Sequence, residues 1–153
     1  MQHRYSLPTK RDFDPFDGCL DALSAYHEFG GKTVEQARQV FLSNPEYHHE
    51  HFAWMGAKAF AYYFPIVDEY LRDIDAVEED NDRQAWILAE CMLAQLDEPN
   101  DLRRHPVCSR IAKLADHVHA NVGAYTADDL ERRRITEVWA KVKYRIASPK
   151  VDG

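Results

Sequence analysis

The stretch Pro45–Ile74, PEYHHEHFAWMGAKAFAYYFPIVDEYLRDI, decides the fold. Phe52, Ala59, Phe60, Tyr63, Val67, Tyr70, Leu71 and Ile74 recur at a 3.6-residue period across it, the signature of a helix with one buried face. Positions 41–70 hold 9 of the 18 aromatic residues, so the core is expected to centre here. Gly56 and Pro65 interrupt the stripe. Pro65 has no N–H for the carbonyl of Ala61, which predicts a kink or a restart at that point. In a restarted helix Asp68 and Glu69 would occupy the first turn, where the helix dipole favours acids. Tyr47, Trp54, Tyr62 and Ile66 lie off the stripe, which leaves them as either a second core face or exposed binding groups.

Moving outward, the punctuation is helical on both sides. Asp14-Pro15 reads as an N-cap with proline at the first helical position, opening a face made of Phe16, Cys19, Leu20, Leu23, Tyr26 and His27 and stopped by Gly30-Gly31. Thr33 and Gln36 form a capping box before Val34, Ala37, Val40 and Phe41. Asn44-Pro45 ends that helix and can cap the next. Further on, Trp86, Ala89, Leu93 and Leu96 mark one helix, and Val107, Ile111, Leu114, Val118 and Val122 another. A box-like start at Thr126 and Asp129 opens a last helix carrying Leu130, Ile135, Val138, Trp139, Val142 and Ile146. Residues 138–146 also alternate like a strand, but a lone strand has no partner for its backbone, so helix is preferred. The expectation is an all-α bundle of six or seven helices in a single domain spanning 1–153, with loose ends at 1–12 and 148–153.

Length and composition agree with one globular unit. The chain has 153 residues, 45% of them hydrophobic and 29% charged, with no apolar run near the roughly 18 residues a membrane-spanning helix needs. No secretory leader is evident, and the three cysteines, Cys19, Cys91 and Cys108, form no CxxC pair. A cytoplasmic protein with free thiols is expected. Net charge is −7, unevenly spread: residues 1–99 hold 8 basic against 19 acidic side chains, and residues 100–153 hold 11 against 7. The acids peak at 68–82, where Asp68, Glu69, Asp73, Asp75, Glu78, Glu79, Asp80 and Asp82 face the single cation Arg72. Such a field disfavours nucleic acid and anionic membrane and favours a basic protein partner.

Two constellations point to chemistry. Glu46 and His49 stand at i, i+3, the Glu-x-x-His spacing with which ferritin-like bundles aim a carboxylate and an imidazole at one metal. Asp116 and His119 repeat that spacing with aspartate. With Glu69 or Glu90 as a bridging acid, these are the parts of an iron, manganese or zinc site. The plainer reading is a histidine-rich helix start with no cofactor. HExxH is absent, since Ala53 stands where its second histidine belongs. The second constellation is Arg110 and His117, six residues intervening on one helix face. It is similar to the arginine and histidine of HEPN-type ribonucleases, in which arginine binds the scissile phosphate and histidine moves a proton. Ile111 departs from the polar residue usual there. Arg132-Arg133-Arg134 would point in three directions and form no patch. P-loop, GxGxxG and GxSxG motifs are absent.

The segments Phe41-Leu-Ser-Asn-Pro-Glu-Tyr47 and Trp54-Met-Gly-Ala-Lys-Ala-Phe-Ala-Tyr-Tyr-Phe-Pro65 resemble small bacterial all-helical proteins with an aromatic AFxYYxP core. Some of those sit among toxin–immunity style genes. The similarity spans residues 29–75 and brings no catalytic residues with it. It implies a bacterial cytoplasmic helical protein that binds another protein. The leading expectation is therefore a non-enzymatic, immunity-type binding module that meets a basic partner through Asp73, Asp75, Glu78 and Glu79. The metal-binding bundle and the ribonuclease are the alternatives.

Overall fold

The computed structural model describes residues 6–15, 17–73, 83–97 and 100–148. These form α1 (Lys10–Phe13), α2 (Leu20–Phe29), α3 (Val34–Ser43), α4 (Pro45–His48), α5 (His51–Trp54), α6 (Ala57–Arg72), α7 (Ala85–Leu96), α8 (Val107–Ala120), α9 (Val122–Tyr125) and α10 (Asp129–Ala147), with a 3-10 turn at Leu102–Arg104 before α8. The all-α expectation holds. The number six or seven does not: the described residues contain more helices, because α1, α4, α5 and α9 are single turns of four residues. At α1 and α4 a local side-chain cap makes the turn where hydrophobic periodicity shows only a gap, while α5 and α9 have no such cap. Thr9 and Asp12 form a capping box around α1, so a helix stands inside the expected loose end. Asn44 accepts from the Tyr47 amide with Pro45 at the first helical position of α4.

Helix α6 is the centre of the molecule. It packs against α1, α3, α7 and α8, while α10 lies on α7 and α8, and α5 is wedged between α2 and α7. Of the kink or restart expected at Pro65, the restart does not occur: α6 runs unbroken through it. Ala59, Phe60, Tyr63, Phe64, Ile66, Val67, Tyr70 and Leu71 are all buried on it. At about 1.5–3 kcal/mol for each large apolar side chain, that burial exceeds the roughly 3 kcal/mol cost of an internal proline. Asp68 and Glu69 consequently sit in the C-terminal half, where the dipole opposes acids. Arg72 answers Asp68 at 2.9 Å, and Arg38 of α3 approaches Glu69 at 3.7 Å.

Helix α2 begins at Leu20, not at Pro15. The Asp14 carboxylate accepts from the amides of Gly18 and Cys19, at 2.6 and 3.2 Å, and folds a turn where a helix start was expected. Residues 138–146 are helical within α10, whose cap is Asp128, one residue before the expected box partner. Long-range hydrogen bonds pin the helices. Tyr63 donates to the carbonyls of Phe29 and Lys32, Trp139 donates to Ala85, and Tyr125 to Leu71. No helix among the described residues is long and apolar enough to cross a membrane.

Candidate functional site

Of the four acids expected to meet a partner, Asp73 lies at the C-terminal cap of α6. Asp75, Glu78 and Glu79 lie outside the described residues. Asp73 lines a surface recess of about 300 Å³ between α3 and α6, together with Arg38, Leu42, Ile66, Glu69, Tyr70 and Arg83. Two acids and two arginines share this recess with Leu42, a large apolar side chain that remains exposed.

Arg110 and His117 both turn towards α6 but engage different turns of it. The Arg110 guanidinium lies 5.3 Å from the centre of the Phe64 ring. His117 sits near Asp68 and Arg72; burial holds its imidazole below the ordinary histidine range, Arg72 adding to the effect and Asp68 opposing it. His117 is therefore neutral at pH 7, while the arginine is occupied by an aromatic face a turn away. The arginines at 132–134 diverge: Arg132 donates to the Thr126 carbonyl and Arg134 stacks on Trp86, 3.8 Å from its centre.

The expected metal ligands are not gathered. Glu46 and His119 are exposed, Asp116 is ion-paired with Lys143 at 2.6 Å, and His49 is half-buried. Among the described residues, no group of three or more histidine, cysteine, aspartate or glutamate side chains is placed to hold a metal ion.

The histidines that the fold does bring together are the neighbours of His49. His48 and His51 are 4% and 7% exposed, their rings 5.4 Å apart. Phe29 of α2 packs on both from the inside, at 5.7 and 5.6 Å, and the Tyr47 ring covers both from outside, at 4.8 and 5.7 Å. Burial lowers the pKa of each, and for His51 the neighbouring His48 adds to it; Glu28 pulls the other way and does not prevail. His48 Nδ1 and His51 Nε2 have no hydrogen-bond partner among the described residues, so a second ring proton would be a buried donor without an acceptor. The sequence shows His48 and His51 at i, i+3, the same spacing that singled out Glu46 and His49. Nothing local tells which histidine faces inward, because Phe29 decides it from another helix.

The α4–α5 turn that carries these histidines is fixed by a residue the sequence did not flag. Gln95 of α7, wholly buried, donates to the carbonyls of Phe52 and Met55 at 3.0 and 2.8 Å and accepts from Asn100 at 2.6 Å. On the outer side of the same turn Tyr47 is 54% exposed and Trp54 52% exposed. Tyr62 is half-buried and Ile66 is buried, so the four off-stripe residues divide between core and surface.

Compared with models of known protein families, with curated proteins and with solved structures, the chain finds no match.

Proposed function

We propose that this chain is a non-enzymatic protein-binding module of the immunity type, acting in the bacterial cytoplasm on a basic protein partner. The observation that carries the reading is the α3–α6 recess, in which Asp73 and Glu69 stand beside the exposed Leu42. Arg38 and Arg83 line the same recess and Arg38 approaches Glu69, so an incoming lysine or arginine would pack its stem on Leu42 and meet Asp73. The wider field agrees in sign, since residues 1–99 hold 19 acidic against 8 basic side chains. The resemblance of residues 29–75 to small bacterial helical proteins found among toxin–immunity style genes supports the same class.

The test is capture and identification of the partner with the wild-type chain and with charge reversal at Asp73, Asp75, Glu78 and Glu79. A basic protein retained by the wild type at low salt and lost by the reversed chain is the expected outcome. Retention unchanged by the reversal overturns the reading.

A further inference from the structure

A second surface carries its own argument for the chemistry of the partner. His49 and Glu50, between α4 and α5, both keep right-handed helical backbone angles, so the helical path continues from Pro45 to Trp54. Tyr47, Glu50 and Trp54 therefore follow one another at i, i+3 and i+7 along one face, with Glu46 beside Tyr47. All four are exposed. The chain buries Phe29, Phe41, Phe52, Phe60, Tyr63 and Phe64 completely, and apart from Tyr144 on α10, Tyr47 and Trp54 are its exposed large aromatics among the described residues.

Several surface carboxylates carry an ion pair, and among the described residues the two on this face do not. Asp12, Glu35, Asp68, Glu69, Asp97, Asp101 and Asp116 each have a lysine or arginine within ion-pair distance. Glu46 and Glu50 have none among the described residues, and the sequence holds no lysine or arginine from 39 to 57. Two unpaired carboxylates interleaved with two exposed aromatic side chains make a surface complementary to guanidinium or ammonium groups.

We infer that the Glu46–Tyr47–Glu50–Trp54 face is a docking surface for an extended, arginine-bearing segment of a basic protein. Seven residues of helix rise separate the two rings by about 10 Å. A polyproline II segment rises about 3.1 Å per residue with about three residues per turn, so side chains three apart share one face at about 9 Å, and the matching segment has the spacing Arg-x-x-Arg. Each guanidinium stacks on one ring, and Glu50, between them, can pair with either. The inference rests on the protein-binding reading for its biological sense, but on residues distinct from the Asp73 recess.

The test uses the whole chain and a synthetic peptide of sequence Gly-Arg-Gly-Ser-Arg-Gly, followed by NMR. The expected result is that peptide at millimolar concentration shifts the Trp54 indole and the amides of 46–54. Trp54→Ala or Tyr47→Ala should each weaken binding about two- to fivefold, as befits an exposed cation–π contact. Glu46→Lys with Glu50→Lys, which alters no buried group, should abolish it. A peptide with glutamate in place of arginine should give no shifts. Shifts that map to the Asp73 recess and ignore all these variants overturn the docking face while leaving the binding-module reading intact. Absence of any shift also overturns it. Loss of partner capture on reversal of Asp73, Asp75, Glu78 and Glu79, with peptide binding at 46–54 unchanged, separates the two surfaces.

Discussion

Replacing Gln95 by leucine should be the most damaging single change near the α4–α5 turn, and its cost can be worked out from the hydrogen bonds. The Phe52 carbonyl depends on Gln95, because the Gly56 amide that could close its helical bond donates instead to Phe13, at 2.8 Å. Leucine leaves that buried carbonyl without a donor, at about 1–3 kcal/mol. The Met55 carbonyl loses one of two donors and keeps Asn100 at 3.2 Å, a further loss of about 0.5–1.5 kcal/mol. The sum is roughly 3 kcal/mol, a large fraction of the 5–15 kcal/mol that holds a typical domain together. In urea, with a slope of about 2 kcal/mol per M, the midpoint should fall by about 1.5 M with the slope unchanged. Equilibrium unfolding followed by circular dichroism measures this, and hydrogen exchange should show the loss first in residues 51–56. Gln95→Met keeps the shape without the donors and should behave like leucine. A midpoint shift below about 0.3 M in both variants would refute the view that this one amide holds α5 to α7.

The His48–His51 pair makes stability depend on pH. Each folded-state pKa lies below the ordinary 6.5, so the unfolded chain binds more protons as the solution becomes acidic. Stability from the neutral pair is complete above about 6.5 and is lost as pH falls towards the folded values, and His48→Phe with His51→Phe should flatten that slope in urea unfolding. Gly56 is needed for close approach, since a Cβ there would strike the Asp12 carbonyl and Pro15. Gly56→Ala should cost about 1–3 kcal/mol in the same assay, as overpacking does, although its φ of −62° suits any residue.

Much of the helical framework was legible because its signals are local. The Thr33–Gln36 capping box, the Asn44-Pro45 cap and the stripe from Ala59 to Leu71 each need only neighbours within a few residues. What was missed depends on distant partners. Pro65 offers a kink or a restart, and the burial of α6 against four other helices is what excludes the restart. Asp14 reads as a helix cap until its carboxylate is seen closing a turn onto Gly18 and Cys19. Gln95 shares a helix face with Leu88, Cys91 and Met92, and only the carbonyls of Phe52 and Met55, 40 or more positions earlier in the chain, make it a structural residue. Glu46, His49, Asp116 and His119 are not brought into one group for the same reason: spacing within a segment fixes a face of a helix, but not which face its partner presents.

The α4–α5 turn separates stability from recognition by direction. Helices of four residues have almost no stability of their own, because nucleation consumes the few bonds they make. This turn is held from inside, by Gln95 on α7, by Phe52 against Phe29 and Phe41, and by His48 and His51 against Phe29. Its outer residues contribute little to that hold. Glu46 and Glu50 are solvated and unpaired among the described residues, and Trp54 keeps about half its surface in water. Changes at Glu46, Glu50 and Trp54 should therefore move partner affinity while leaving the urea midpoint near its wild-type value. Changes at Gln95 should lower both, since the face loses its position when the turn loses its anchor. Tyr47 lies between the two classes, because its ring meets the histidine pair in T-shaped contacts while about half of the residue stays exposed. A protein that needed these positions only for its fold would show the opposite pattern, with stability and affinity falling together at every one of them.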